Sequence, residues 1–387
     1  MSSILIIGAL TTTHIRRLVG KLGATKSKSE SIYVLDTAFR VDYQFPDVEG
    51  VERIVGLKSN KFFRFLSRIP KTRVFVYYFL IVRQFKALLS AEPFSLVSIV
   101  GITGLSSSLI RIAHRKRVKT HIVPLGSDVL RASRFVAHRI NNAFKETDFV
   151  SVSKRSDFGL ELIRRYSIPS EKMIAAGFGS DVIDQIDCMR GTLSRKEMAS
   201  MLNLPESSFY IACGYNANKE QNHEEMLNAI AANQDLLPDD YCVIVQLSYG
   251  ISKQELIEHL SNLAKTLKLK VFLITDFLSL EQVTALRFVT DLFIHVQKTD
   301  ATNASILEYL LADTQVINGE WLKYRFIEQE GKPYYTCSSL DQLSTCLRRV
   351  LLARNNFSPV PESTKQIIRD FKSWQRILNN WHALFRS

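Results

Sequence analysis

Short apolar runs alternate with amphipathic stretches along the chain, and the two periods separate cleanly enough to predict elements. In the first half, Ile4 to Gly8, Ile32 to Leu35, Phe94 to Val100, Thr120 to Pro124 and Asp148 to Ser153 read as buried strands. Helical patterns such as Ile15 to Leu22 and Arg155 to Tyr166 fall between them. In the second half the predicted strands are Phe209 to Gly214, Cys242 to Leu247, Val271 to Thr275, Leu292 to Val296 and Gln315 to Ile317. Helices are predicted over Glu224 to Ala232, Leu280 to Arg287, Ala304 to Ala312 and Leu340 to Ala353. Strands that alternate with helices predict an α/β chain with parallel, doubly wound sheets. The breaker Pro205-Glu-Ser-Ser208 divides it into a first domain over 1–185, a link over 186–208 and a second domain over 209–361. The tail over 362–387 carries Phe371, Trp374, Ile377, Leu378, Trp381 and Leu384 at helical steps.

One stretch concentrates the candidate chemistry. From Phe293 to Glu320 a strand, a polar loop, a helix and a second strand follow without padding. That order puts the amides of Thr302, Asn303 and Ala304 at a helix start just beyond a strand's carboxyl end, where an open parallel sheet binds ligands and a phosphate is favoured. Asp300 and Glu308 frame the loop, eight residues apart. Ser305-Ile-Leu-Glu308 also fits a capping box, so Glu308 either closes a helix end or accepts from a ligand. In the first half, His14 and Arg17 open a helix, as a cap or as phosphate contacts. Gly126-Ser127-Asp128 follows a strand, as a turn or as part of a site. Asn216 and Lys219 lie in the loop after the Phe209 strand, and Tyr249 follows the Cys242 strand.

Asp300, Glu308 and the sequence EYLLADTQVI resemble the family-4 retaining glycosyltransferases of the GT-B fold, which carry two acids and a pattern like EAMACGTPVI. Asp300 stands where that family has Glu, Asp313 where it has Gly, and Gln315 where it has Pro. LSYG followed by ITDFLSLEQVTAL is similar to a transferase that adds 4-acetamido-4,6-dideoxygalactose to a lipid-linked glycan. The resemblance implies two Rossmann-like domains facing a cleft, with a last helix crossing back to the first domain. It implies a nucleotide-diphosphate sugar as donor, with no separate cofactor; no metal is expected, since the sequence shows no clear carboxylate cage for one. Glu308 would hold the ribose and Asp300 would lie near the transferred sugar. Lys219, with Asn216, would stand in at the diphosphate for the family's Arg and Lys, because this chain has Tyr215 and Glu220 at the nearest positions. Tyr249, Thr302, Asn303 and Ala304 would complete the donor side. Gly126, Ser127 and Arg17 would face the acceptor, and His14 and Asp128 are further catalytic candidates. The implied activity is hexosyl transfer with retention, to a glycan or a polyprenyl-linked oligosaccharide, in cell-surface polysaccharide synthesis. A sugar-nucleotide 2-epimerase of the same fold and a non-catalytic binding protein are the alternatives.

Composition narrows the partners. With 46% hydrophobic and 23% charged residues the chain is neither disordered nor fibrous. A net charge of +12 suits an anionic partner, and no nucleic-acid recognition motif accompanies it. Between Lys58 and Lys86 basic residues interleave with aromatics, either as an anionic membrane interface or as a core helix with a solvated basic face. Five cysteines without metal-type spacing suggest a reducing compartment. Met1 to Leu10 reads as a strand rather than a leader, and the longest apolar run, Val74 to Val82, is too short to span a bilayer. The expected location is the cytoplasm, peripheral to the inner face of the plasma membrane.

Overall fold

The computed structural model describes residues 2–38, 48–57, 70–250, 253–329 and 331–386. Two compact units emerge: Met1–Gly179 together with Gln375–Ser387, and Ser180–Trp374. Each is built on one sheet of parallel strands, as α/β alternation dictates.

The first sheet holds β1 (Ser2–Gly8), β2 (Glu30–Asp36), β3 (Arg53–Val55), β4 (Leu96–Val100), β5 (Lys119–Val123), β6 (Phe149–Ser151) and β7 (Met173–Ile174). Their order is β3-β2-β1-β4-β5-β6-β7, with every pairing parallel. Helices cover both faces, so inner strands such as β4 are buried along their whole length and read as continuous apolar runs. The helix Pro70–Ala91 places Ile81, Phe85, Leu88 and Leu89 in this core, while Val74, Phe75 and Phe79 stand exposed. Over Thr72–Ala91 it is long and apolar enough to cross a membrane, by length and composition alone, where the Val74 run had predicted too short a segment. The described part of the basic-aromatic segment is therefore a helix with one face in the core and an open face that carries Arg73, Arg83 and Lys86 beside Val74, Phe75 and Phe79. Residues 58–69 of that segment lie outside the described residues.

The tail contributes to the first unit through its last helix, Trp374–Phe385. Trp381 is fully buried, donates from Nε1 to the Gly177 carbonyl at 3.0 Å, and stands edge-on to the His121 ring at 5.0 Å. Asn380 donates to the Ala175 carbonyl at 2.7 Å. Removing so large a buried ring leaves a cavity, a change that ordinarily costs about 3–5 kcal/mol.

The second sheet holds β8 (Tyr210–Cys213), β9 (Cys242–Gln246), β10 (Val271–Ile274), β11 (Leu292–His295), β12 (Gln315–Gly319) and β13 (Tyr335–Cys337), in the order β10-β9-β8-β11-β12-β13. The order reverses between β8 and β11. Loops leaving the carboxyl ends of those two neighbours turn to opposite sides and leave a crevice between them. Residues 186–208, expected as a link, include the last turn of the helix Asp181–Met189 and all of Arg195–Met201. Val182, Ile183 and Ile186 pack against Phe293 and Leu307, and Met198, Leu202 and Leu204 pack near Tyr210 and Ile244, so this stretch belongs to the second unit's core.

His121 gives the first unit a pH dependence. It sits fully buried on β5 within 3.0 Å of Ser98 Oγ, and burial pushes its pKa down to about 3. Only the unfolded chain binds that proton below about pH 6.5, so stability falls as pH drops through the window toward about 3. Between about pH 7 and about pH 5 the first unit is expected to lose about 2 kcal/mol to this group. Thermal or denaturant unfolding at the two pH values checks it, and His121→Gln should flatten the difference.

Candidate functional site

The second sheet's crevice is lined by the loop after β8, residues 214–222, and the loop after β11, residues 296–303. Gly214 opens the first at φ +62°, where an added Cβ would come within 2.7 Å of His223 Nε2. Gln297 is the hub joining the two loops. Its Oε1 accepts from the Tyr215 hydroxyl and from Gln221 Nε2, both at 2.8 Å, and its carbonyl accepts from Trp321 Nε1 at 2.8 Å. Gln297 Nε2 donates to His295 Nε2 at 3.3 Å, while His295 Nδ1 donates to Asn318 Oδ1 at 2.8 Å. That arrangement fixes a neutral imidazole, and burial lowers the His295 pKa in the same sense.

Asp300 closes this network. Its side chain is 9% exposed, Oδ1 accepts from the Ala301 amide at 2.6 Å, and Oδ2 accepts from the Tyr324 hydroxyl and lies 3.7 Å from His295 Nε2. Burial raises its pKa, while His295 and the backbone amides at Asn303 and Ala301 oppose the shift. The chain then passes through Thr302 in the left-handed region, at φ +67°, into the helix Ala304–Leu311. Asn303 caps that helix, accepting from the Ser305 amide at 2.7 Å. The capping-box alternative is not adopted, because Glu308 turns elsewhere.

Glu308 is 5% exposed and its carboxylate is held from two other helices. Oε1 accepts from Ser180 Oγ at 2.7 Å, and Oε2 accepts from Arg287 Nε and Nη2 at 3.1 and 3.0 Å. Arg287 comes from the helix Leu280–Val289 and lies over the Tyr309 ring, 4.2 Å from its centroid. A carboxylate offers about four acceptor positions, so three are filled and one remains. The paired ribose hydroxyls expected from the resemblance would find a single open position.

Charge gathers around the two acids. Lys372, at the end of the helix Glu362–Lys372, has an ammonium whose pKa is lowered by burial and raised by Asp300 and Glu308 together. Tyr249 stands in the fields of Arg287 and Glu308, and its hydroxyl is hydrogen-bonded to the Asn216 side chain. The structure thus brings Asn216, Tyr249, Asp300, Glu308 and the Thr302-Asn303-Ala304 turn into one part of the second unit. Lys219 is set apart from them: its side chain is mostly exposed and pairs with Glu255 at 3.6 Å. Among the described residues no three His, Cys, Asp or Glu side chains gather as a metal cage.

The remaining candidates belong to the first unit. Asp128 accepts from the Ile102 amide at 2.7 Å and the Leu125 amide at 3.1 Å, so it staples the loop after β4 to the loop after β5. Burial raises its pKa, and those amides oppose the shift. Gly126 precedes it at φ +90°, and Ser127 is exposed at the start of a one-turn helix. His14 and Arg17 lie exposed on the helix Thr13–Thr25, the His14 ring 6.0 Å from that of Phe178.

Arg287, Ser180, Lys372, Gln297, His295 and Tyr324 were not singled out from the sequence. Arg287 carried a usable signal, a lone cation in the apolar run VTALRFV, where only a buried anion would hold it. His295 and Gln297 carried another, as polar residues ending an apolar strand.

No protein-family model matches the sequence, and no curated protein is similar to it in sequence. Solved structures are similar along its whole length. Sucrose-phosphate synthase from Thermosynechococcus elongatus is 13% identical over 100% of this chain and 98% of that one, with a TM-score of 0.74. A glycosyltransferase from Rickettsia africae ESF-5 is 13% identical over 100% and 98%, with a TM-score of 0.73. Anabaena HepE, solved with UDP and glucose, is 12% identical over 100% of both chains, with a TM-score of 0.67. At such low identity the likeness is one of architecture, and the architecture is GT-B: α/β, with two Rossmann-like units.

Proposed function

We propose that the chain is a glycosyltransferase that moves a hexose-type sugar from a nucleotide-diphosphate donor to a glycan or polyprenyl-linked oligosaccharide in cell-surface polysaccharide synthesis. The observation that carries this reading is the placement of Asp300, Glu308, Arg287 and Lys372 in one part of the second unit, served by the switch-point loops. The GT-B neighbours support sugar transfer in general, and HepE was solved with UDP and glucose. The sequence resemblance to family-4 retaining enzymes supplies the finer expectation of retention, and the sequence's want of a clear carboxylate cage that of a metal-independent reaction.

In this reading Glu308 takes one ribose hydroxyl in its remaining acceptor position, and Arg287 keeps the carboxylate aimed. Asp300, fixed by Ala301 and Tyr324, orients the transferred sugar. Transfer breaks the bond from the anomeric carbon to the donor phosphate oxygen, which leaves with the electron pair. The acceptor oxygen forms the new bond to that carbon and passes its proton to the departing oxygen. The Ala304 amide at the helix start and the Lys372 ammonium oppose the charge that develops on the diphosphate. Lys372 takes the part that Lys219 was expected to play. The cytoplasmic face of a membrane is the proposed workplace, with the open apolar face of the helix Pro70–Ala91 and the net charge of +12 as its support. One observation favours a non-catalytic reading instead, the engagement of Lys219 by Glu255.

Two outcomes test the proposal. Asp300→Asn is expected to lower transfer from the preferred donor among UDP-, GDP- and dTDP-sugars by at least about a hundredfold, with nucleotide binding within about threefold of wild type. Full transfer by that variant would remove Asp300 from the chemistry, and no transfer by either protein would favour the non-catalytic reading. Arg287→Met, which strands a buried carboxylate, should cost about 3–5 kcal/mol in denaturant unfolding. Arg287→Met with Glu308→Leu should recover most of that stability yet show no thermal shift with nucleotide. A shift equal to that of wild type would make the pair purely structural.

A further inference from the structure

At the carboxyl edge of its sheet the second unit exposes two large rings whose arrangement the residues above do not explain. Tyr249 follows β9 and Phe277 follows β10, adjacent strands that run parallel, so both stand at the sheet's carboxyl edge. Phe277 is 76% exposed and Tyr249 44% exposed. Their rings lie within 10° of parallel, with centroids 6.2 Å apart. Single exposed aromatics are common, but two held parallel at a ligand edge form an apolar surface that water solvates poorly.

Tyr249 is pinned at both ends. Its carbonyl accepts from the Ala217 amide at 2.6 Å, and the next residue, Gly250 at φ +147°, lies so close that an added Cβ would fall 2.4 Å from the Ala217 backbone. Its hydroxyl is hydrogen-bonded to Asn216 and stands in the fields of Arg287 and Glu308. One residue therefore joins the loop after β8, which lines the crevice, to the exposed ring pair. That continuity matches a nucleoside, whose base is covalently joined to its ribose and offers a flat π-face.

We propose that Tyr249 and Phe277 seat the planar base of the donor nucleotide by stacking, beside the ribose position at Glu308. The assignment rests on the nucleotide-sugar reading above. Stacking reads a flat ring without reading its edge, so the seat supplies affinity for any base and leaves discrimination among bases to other groups.

Phe277→Ala and Phe277→Trp, titrated with UDP, GDP and dTDP beside the wild-type chain, test it. For whichever nucleotide binds, Phe277→Ala should weaken Kd about tenfold, equivalent to about 1.4 kcal/mol. The base protons of the bound nucleotide should lose the upfield ring-current shift seen in proton NMR with wild type. Phe277→Trp should keep both the affinity and the shift. Thermal unfolding of the free proteins should coincide, because the Phe277 ring is largely in solvent. Unchanged affinity in Phe277→Ala, or weaker affinity with the base shift intact, would overturn the seat while leaving the nucleotide reading standing. A response to glucose alone, with nucleotide unaffected, would give the rings to a sugar and overturn it too. Failure of wild type to bind any of the three would overturn the nucleotide reading itself, and the seat with it.

Discussion

A buried carboxylate sets the terms for the second unit. Moving Glu308 out of water costs several kcal/mol, and the Arg287 fork with the Ser180 hydroxyl offsets that cost. The three residues come from the helices Ala304–Leu311 and Leu280–Val289 and from the cap of Asp181–Met189, so one ion pair fixes three elements relative to one another. Arg287 also rests on the Tyr309 ring, which gives the cation a second favourable neighbour. An apolar trio of similar volume would pack at least as well. Keeping a carboxylate there agrees with the proposed use beyond packing, for which one acceptor position remains.

Topology decides where such a carboxylate can work. The second sheet reverses direction between β8 and β11, so its two central loops part and expose backbone amides at the carboxyl edge. Gln297 spans the parted loops, and Asp300 and the Asn303 cap follow within six residues. Burial then tunes the groups: it lowers the His295 pKa, raises that of Asp300, and lowers that of Lys372 against the opposing pull of two acids. In the first unit the corresponding acid, Asp128, spends its acceptors on the Ile102 and Leu125 amides and shapes its loops.

Much of the fold was legible because strands buried on both faces, such as β4 and β11, leave continuous apolar runs that no amphipathic helix imitates. The acid pair was legible by its spacing, and so was the turn that joins it to the helix start. What escaped was whatever depends on residues far apart in sequence. Glu308 finds Ser180 from 128 positions away, and Lys372 reaches the acids from the tail. Lys219 looked suited to a phosphate as part of a polar loop, yet Glu255 lies within ion-pair reach of it on the surface, a pairing that local sequence does not announce. The stretch over 186–208 looked polar enough for a link because its helices bury only one stripe, including Ile186, Met198 and Leu202.

The most direct test is a crystal structure of the chain with its preferred nucleotide diphosphate bound. The account predicts a ribose hydroxyl within hydrogen-bond distance of the Glu308 carboxylate and the diphosphate against the Ala304 amide, with Arg287 still paired. A nucleotide bound elsewhere on the chain, with Glu308 contacting only Ser180 and Arg287, would contradict it.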